Sequence, residues 1–367
     1  AYLEKREPII PALLLQYTDF TFWQRRCFES GMLQQEIGYW NHQLAGLSSL
    51  NLPLDFPRPA RQTFRRSRKI FLLDEVLTAQ LNNLAMNERV TLFVVILSAC
   101  QVVFSHYSSQ NEIAIGTTMA NRSYERLENL LGFFANTVVL RGHIEPEMHF
   151  KKLLQMNKDL VIDAIANQDV PFEHLVEKLS PERSKNQNPF FQVMLTLEPF
   201  YLHSLALHGL AIEEKQLDSC YSIFDLLLDF KLKDSQLQAL VEYSTDLFKA
   251  ETMDRLFCHL LNVFKTIVAN PACQISQVDF LEPLERQQVL YDWNKTEIEI
   301  PNGQTVMQLF EAHAVDNDNS ALVFKEKTLS YRELNAKASQ LARFLMQAGV
   351  TQEIVVAICF ERSFEMI

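Results

Sequence analysis

Residues 167–173 read NQDVPFE and combine two carboxylates, Asp169 and Glu173, with a proline and an aromatic residue. Such a group could belong to a site where carboxylates accept protons or hydrogen bonds, or it could simply begin a helix. In the second case Asp169 caps the first amides, Pro171 lies near the first helical position, and Glu173 falls in the first turn. The residues alone leave both interpretations open. We expect the neighbouring His174 to be a surface helix residue rather than a base.

Other motifs that carry chemistry do not occur in the sequence. The chain has nine glycines and no GxGxxG, GxxxxGK[ST] or GxSxG stretch, so nothing supports a phosphate-binding loop or a hydrolase nucleophile turn. The nine histidines never occur as HH, HxH or HExxH. No metal site can therefore be assembled from sequence spacing.

Composition limits the class of protein. The 367 residues are 48% hydrophobic and 22% charged, with a net charge of −11, which is ordinary for a globular protein with a core and argues against a nucleic-acid groove. The one basic cluster, between Arg61 and Lys69, is interpreted as a solvated face. Six cysteines without a CxxC pair suggest reduced thiols and a cytoplasmic location. The most apolar run, Thr91 to Phe104, is too short for a membrane span of about 20 residues and predicts a fully buried helix.

The hydrophobic pattern predicts alternating helices and strands, and therefore a mixed α/β layer fold. A helix is expected over Gln16–Trp40, and a strand over Ile354–Phe360 at the end of the chain. The other predicted helices are Thr78–Asn87, Leu92–His106, Phe150–Asn167, Glu251–Asn270, Met307–Ala314 and Tyr331–Ala348. The other predicted strands are Lys69–Leu73, Glu112–Gly116, Asn136–Arg141, Phe190–Leu197, Ser222–Phe230, Leu237–Tyr243, Ala321–Phe324 and Thr328–Ser330.

Four stretches in order carry a family resemblance. They read YTDFTFW (17–23), LGFFANTVVLR (131–141), NQDVPFE (167–173) and RSKNQNPFF (183–191), with IGTTMANR (115–122) between the first two. Together they resemble the condensation domains of nonribosomal peptide synthetases. The tail continues the resemblance, because WNKT (293–296) looks like the exit linker and LSYRELN (329–335) like the first core motif of an adenylation domain.

The resemblance implies an α/β fold: a chloramphenicol-acetyltransferase-like lobe, a mixed sheet with flanking helices, followed by the beginning of an adenylation-domain N-terminal subdomain. It divides the chain into the C-terminal lobe of a condensation domain (1–283), a linker (284–304) and a truncated adenylation start (305–367). The family signature HHxxxDG does not occur. We therefore expect the first lobe to precede Ala1, no catalytic residue in this chain, and no condensation by the chain alone.

The resemblance also assigns residues to the acceptor side of a substrate tunnel. Arg122 matches the arginine that pairs with the aspartate of HHxxxDG, so here its guanidinium is expected to be unpaired. The strand beginning at Asn136 and containing Arg141 is expected beside the tunnel. The tunnel wall is assigned to Asp169, Pro171 and Phe172. Asn188 and Pro189 would begin a strand near the bridging region.

The implied partners are peptidyl carrier proteins, the first lobe and the downstream adenylation domain, with no nucleic acid and no membrane. The implied cofactors act elsewhere: phosphopantetheine on the carriers, and ATP with Mg²⁺ in a complete adenylation domain; this chain itself is expected to bind none directly. Two alternatives stay open. A condensation-like domain could serve as a non-catalytic docking module for carrier proteins, or the chain could be a related acyltransferase, against which the LSYRELN tail counts.

Overall fold

The computed structural model describes residues 13–179, 186–198, 223–233, 235–298 and 303–367. The chain divides into two compact units, Ala1–Leu290 and Tyr291–Ile367. The first unit contains a six-stranded sheet in the order β1-β6-β5-β4-β2-β3. Its strands are β1 (Arg66–Leu72), β2 (Glu112–Met119), β3 (Asn136–His143), β4 (Val193–Glu198), β5 (Leu226–Lys233) and β6 (Gln236–Ser244).

The central strands β2, β4 and β5 run parallel, whereas the β1–β6, β5–β6 and β2–β3 pairs are antiparallel. The helices of this unit are α1 (Tyr17–Glu29), α2 (Gln34–Leu44), α3 (Glu75–Glu88), α4 (Leu92–Ser108), α5 (Phe150–Ala166), α6 (Phe172–Leu179), α7 (Ala250–Ala269) and α8 (Pro283–Gln287). A mixed sheet with flanking helices is the predicted layer architecture.

One face of the sheet packs against the helices that form the core. Phe71 of β1 stacks on Phe257 of α7 with ring centroids 4.0 Å apart, and Phe230 of β5 meets Phe264 of α7 at 6.4 Å. Every residue of α4 from Val94 to Phe104 is buried, which confirms the predicted all-round burial of this helix. No single helix among the described residues is long and apolar enough to span a membrane. Only α3 and α4 taken together reach that length and composition, and the two helices are bent by 104° relative to each other.

The predicted helix over Gln16–Trp40 is wrong, because two helices occupy this range. Ser30 ends α1, and Gly31 adopts a φ of 76°, in the left-handed region that glycine enters at little cost. The chain therefore turns before α2 begins at Gln34. The turn lets α2 pack with Ile37, Trp40 and Leu44 buried.

The second unit begins with α9 (Val306–Ala314), whose capping box joins Thr305 and Gln308. The hairpin of β7 (Ser320–Phe324) and β8 (Lys327–Ser330) follows, and then α10 (Tyr331–Gln347). The predicted strand over Ile354–Phe360 is wrong: these described residues form no strand and are exposed. An apolar run can form a strand only where another strand supplies hydrogen bonds, and within the described ranges β7 and β8 pair only with each other.

Candidate functional site

The stretches IGTTMANR, LGFFANTVVLR and NQDVPFE meet beside the carboxyl end of β2, where Met119 pairs with Asn136. β2 and β4 pair only at Ile115–Val193 and Gly116–Met194, so the ladder between them stops well before the two strands end. In open α/β sheets, ligands bind in such crevices beyond the carboxyl ends of parallel strands. Arg122 follows β2, and the segment 167–173 lies against the start of β3.

Asn136 holds the NQDVPFE segment through both ends of its side-chain amide. Nδ2 donates hydrogen bonds to the carbonyl oxygens of Gln168 and Val170, both at 2.7 Å. Oδ1 accepts hydrogen bonds from the N–H groups of Phe172 at 3.0 Å and Thr137 at 2.9 Å. Asn136 is only 8% exposed, so water cannot readily replace these bonds. The amide fixes the segment to the sheet.

The predicted cap of α6 by Asp169 is wrong. Within the described residues the Asp169 side chain accepts no hydrogen bond, whereas Asn136 accepts from Phe172, the first residue of α6. The reason lies in the preceding residue: Pro171 has no N–H, so the N–H of Phe172 is the first donor that needs a partner. Pro171 still precedes the helix as a start signal.

Asp169 lies instead in a partly buried acidic pocket. Burial raises the pKa of Asp169, and the negative charge of Glu36 raises it further. Oε2 of Glu36 is itself buried and has no hydrogen-bond partner among the described residues. The pKa values of Cys27 and Tyr124 are also raised, mainly by burial and secondly by the negative charge of Asp169. Sequence reasoning missed Glu36, because its approach to Asp169 depends on the packing of α2 and has no local signal.

Arg122 is not unpaired, contrary to the prediction. Its Nη1 donates hydrogen bonds to the carbonyl oxygens of Leu127 and of Leu130, the latter at 2.9 Å. Its guanidinium also lies over the ring of Phe134, 4.2 Å from the centroid. The single helical turn Glu125–Leu127 leaves carbonyl oxygens without partners, and the five donors of an arginine can satisfy several of them.

Arg141 holds the end of α2 rather than the segment around Asn136. Its Nη1 donates to the carbonyl oxygens of Gln43 at 3.1 Å and Ala45 at 2.9 Å, and its Nη2 donates to Glu112 at 2.7 Å. A cation at a helix carboxyl end complements the helix dipole. Five positions separate Arg141 from Asn136, so their side chains leave opposite faces of β3, and the structure does not bring them together.

Phe172 contacts an aromatic cluster beside β2. Its ring centroid lies 5.7 Å from that of Phe191 and 6.2 Å from that of Phe190. Phe191 is fully buried and lies so close to Gly116 that an added Cβ there would come within 2.3 Å of the ring. The cluster therefore closes one side of the crevice over β2.

Asn188 and Pro189 lie just before β4, as the sequence suggested, but Asn188 makes its contact through the backbone. The carbonyl oxygen of Asn188 accepts a hydrogen bond from Nε2 of Gln192 at 3.1 Å. Its side-chain Oδ1 is buried and meets no hydrogen-bond partner in the part of the chain that the structure describes. Gln192 in turn accepts a hydrogen bond from the N–H of Leu50 at 2.8 Å, so this segment joins β4 to the chain before β1.

A groove of about 330 Å³ lies between α1 and the loop after β2. Trp23 and Tyr124 form aromatic walls with ring centroids 5.5 Å apart, and Asp19 and Arg126 supply the charged side chains. The groove was not predicted, although three of its lining residues, Asp19, Phe20 and Trp23, lie in the YTDFTFW stretch. Among the described residues, no group of three His, Cys, Asp or Glu side chains could hold a metal ion.

Comparison with family models matches the condensation domain over residues 1–290 and the AMP-binding enzyme over residues 309–367. Chondramide synthase cmdD of Chondromyces crocatus is 40% identical over 96% of this chain and 9% of its own length. Tyrocidine synthase 2 of Brevibacillus parabrevis is 36% identical over 98% of this chain and 10% of its own length. The chain thus spans about a tenth of the length of these curated relatives.

Solved structures show the same fold. The complex of the X-domain and OxyB from teicoplanin biosynthesis contains a chain matched with a TM-score of 0.68 and 24% identity, over 76% of this chain and 64% of that chain. Holo-AB3403, a four-domain nonribosomal peptide synthetase bound to AMP and glycine, matches with a TM-score of 0.65 and 24% identity, over 86% of this chain and 25% of that one. The mixed sheet with its helices is thus a chloramphenicol-acetyltransferase-like lobe. The chain belongs to the condensation-domain family of nonribosomal peptide synthetases, and its last residues begin an AMP-binding domain.

Proposed function

We propose that residues 1–283 are the second lobe of a condensation domain that joins two carrier-bound aminoacyl or peptidyl thioesters through a peptide bond. In this proposal residues 284–304 are the linker to an adenylation domain that starts at residue 305. The observation that carries the proposal is the Asn136 side chain, which joins the LGFFANTVVLR stretch to NQDVPFE through bonds of 2.7 to 3.0 Å. Two motifs that define the family are thereby one hydrogen-bonded unit beside the carboxyl end of β2.

In this proposal the reacting histidine is supplied by a segment outside these 367 residues. Peptide-bond formation needs a group within about 3 Å of the attacking amine, either to accept its proton or to position it. The sequence contains no His-His pair, and within the described residues no histidine lies in the NQDVPFE–Asn136 unit except His174, whose ring packs 4.8 Å from that of Phe28. We therefore expect this polypeptide alone to be inactive.

The chain's own residues have a supporting role in the proposed tunnel. Asn136 fixes the segment that carries Asp169, Pro171 and Phe172, while Arg122 holds the loop after β2 and Arg141 holds α2. Phosphopantetheine arms would be supplied by the carrier proteins, and ATP with Mg²⁺ would serve a complete adenylation domain. The proposed location is cytoplasmic.

The test is a condensation assay with the complete synthetase and two carrier proteins, one loaded with a donor and one with an acceptor amino acid. Mass spectrometry of the acceptor carrier should detect the dipeptidyl thioester with the complete synthetase but not with the 367-residue chain. An Asn136→Ala synthetase should lose most of this product, whereas Asn167→Ala, which removes one exposed hydrogen bond to Asp163, should retain it. Product formation by the 367-residue chain alone would contradict the assignment of the catalytic group to another segment.

A second candidate is a docking module without catalysis. The fold similarity to the X-domain, which was solved in complex with OxyB, favours it, as does the aromatic groove beside Trp23. Saturable binding of a phosphopantetheinylated carrier protein, with no dipeptide from the complete synthetase, would support this candidate over the first.

A further inference from the structure

The sheet has one face that the core helices leave open over β1, β6, β5 and β4. Four side chains lie directly opposite one another across these strands, because Ile70 pairs with Leu240, Leu240 with Asp229, and Asp229 with Thr196. Directly opposed residues on neighbouring strands share a face. Ile70 is 47% exposed and the other three are half-buried, whereas their chain neighbours on the opposite face, such as Leu228 and Phe230, are buried.

The same row continues onto β2 and β3 as hydroxyl groups. Thr118 lies two positions beyond the last β2–β4 pair, as Thr196 does on β4, and Thr118 pairs with Thr137 of β3. Thr137 is the neighbour of Asn136 and donates its N–H to the Asn136 side chain. The β2–β4 ladder ends at Gly116–Met194, so the crevice described above separates Asp229 and Thr196 from the Thr118–Thr137 pair. The row therefore runs from an apolar end, through one carboxylate, to the edge of that crevice.

Asp229 is a half-buried carboxylate, and only one of its two oxygens accepts a hydrogen bond from the described part of the chain. Its Oδ1 accepts a hydrogen bond from the hydroxyl of Thr196 at 2.5 Å, and within the described residues Oδ2 accepts none. The pKa of Asp229 is raised to about 6: burial is the main cause, the Thr196 hydrogen bond opposes it, and the charges of Glu198 and Lys231 raise and lower it by less. Lys231 pairs with Glu198 at 3.8 Å, and from β6 the opposed residue is the apolar Leu240. A carboxylate held in this way has room for one external N–H donor.

We propose that Asp229, oriented by Thr196, binds the amino group of the acceptor aminoacyl thioester on the open face of the sheet. The occupant is a protonated primary amine on an aliphatic arm, because the ionised carboxylate offers a charge-assisted hydrogen bond and Leu240 with Ile70 offers apolar surface beside it. Asp229 is thus a positioning residue that holds the ammonium form of the acceptor. Before the nitrogen lone pair can attack the donor thioester, the ammonium proton passes to the reacting group that the proposed function assigns to a segment outside these 367 residues. This inference rests on the proposed condensation function and names a subsite within it.

Binding of a stable acceptor mimic to the complete synthetase tests the subsite. The probe is the amide analogue of glycyl-pantetheine, with a free amine, and the matched control probe is its N-acetyl derivative. Calorimetry should give tighter binding of the amine than of the N-acetyl probe near pH 7, and this preference should fall as the pH drops below about 6 and Asp229 is protonated. Asp229→Asn should weaken amine binding about tenfold and leave the N-acetyl probe unchanged.

Two further variants make the outcome decisive. Thr196→Val removes the orienting hydroxyl and should reduce the preference for the amine by a smaller factor, whereas Glu147→Gln changes an exposed carboxylate in the turn before α5 and should not alter it. Equal binding of both probes by the native protein, no binding at all, or an unchanged preference in Asp229→Asn would overturn the inference. If the complete synthetase forms dipeptide while Asp229→Asn keeps the native acceptor KM, the subsite fails and the proposed function stands. If no dipeptide forms with any variant, the function itself fails, whatever the probes show.

Discussion

The imidazole Nε2 of His259 lies 2.6 Å from Oε2 of Glu285, although only 5% of the His259 side chain is exposed. The other ring nitrogen, Nδ1, lies 2.7 Å from the hydroxyl of Tyr107, so His259 of α7 connects α4 to α8. This short helix lies at the start of the proposed linker. A single buried histidine therefore fixes the last helix of the first unit to its core.

Glu285→Ala should destabilise the first unit by about 1–2 kcal/mol, because it leaves the buried His259 without one of its two partners. Urea unfolding followed by tryptophan fluorescence, which reports on the buried Trp40, measures the change. Hydrogen exchange of the amides in 283–287 should also become faster. Glu282→Ala, on the preceding turn and without a side-chain hydrogen bond in the described residues, is the control and should change little. Equal effects of the two substitutions would show that the His259 contact contributes nothing.

Asn136→Ala should cost about 2–3 kcal/mol of unfolding free energy. The substitution leaves the N–H of Phe172 and the carbonyl oxygens of Gln168 and Val170 without their partner in a region largely closed to water. Asn167→Ala removes a single exposed bond and should cost less than about 0.5 kcal/mol. Denaturant titration of both variants makes the comparison. A similar small cost for both would mean that the segment 167–173 does not depend on Asn136.

The sequence predicts the sheet better than the site. Strands such as β3 and helices such as α4 follow from local apolar patterns, and the family stretches identify the neighbourhood. The break at Gly31 was missed because the helical pattern of apolar residues continues on both sides of it. The contacts of Asn136, Arg122 and Asp229 could not be predicted, since each depends on which distant backbone or strand packs beside it.

Gly116→Ala should destabilise the first unit by about 2–3 kcal/mol. The added Cβ would lie 2.3 Å from Cε2 of Phe191, and this ring cannot move easily because it is fully buried among other aromatic rings. Gly38→Ala is the matched control: a Cβ there meets nothing within 4 Å, and inside α2 it should stabilise by up to about 1 kcal/mol. Thermal unfolding of both variants should therefore shift in opposite directions. A neutral Gly116→Ala would mean that Phe191 does not pack against β2 in solution.

Asp229→Asn should stabilise the first unit at neutral pH but not in acid. Because burial raises the pKa of Asp229 from 3.8 to about 6, the folded state binds its proton more tightly than the unfolded state does. The native protein therefore loses stability as the pH rises from about 4 to about 6, and the full cost persists above that. Two pKa units correspond to about 3 kcal/mol, and solvent screening of the partly exposed carboxylate reduces the effect to about 1–2 kcal/mol.

Asparagine keeps an oxygen for Thr196 and carries no charge, so the variant avoids this cost. The difference in unfolding free energy between Asp229→Asn and the native chain should rise from near zero at pH 4 to its full value at pH 7, as urea titrations at several pH values would show. Glu147→Gln is the control, and its difference should stay small throughout this range because the side chain is exposed in the turn before α5. A difference for Asp229→Asn that stays constant from pH 4 to pH 7 would mean that the carboxylate is solvated like a surface group. The open face of the sheet would then not present the poorly hydrated carboxylate that amine binding requires.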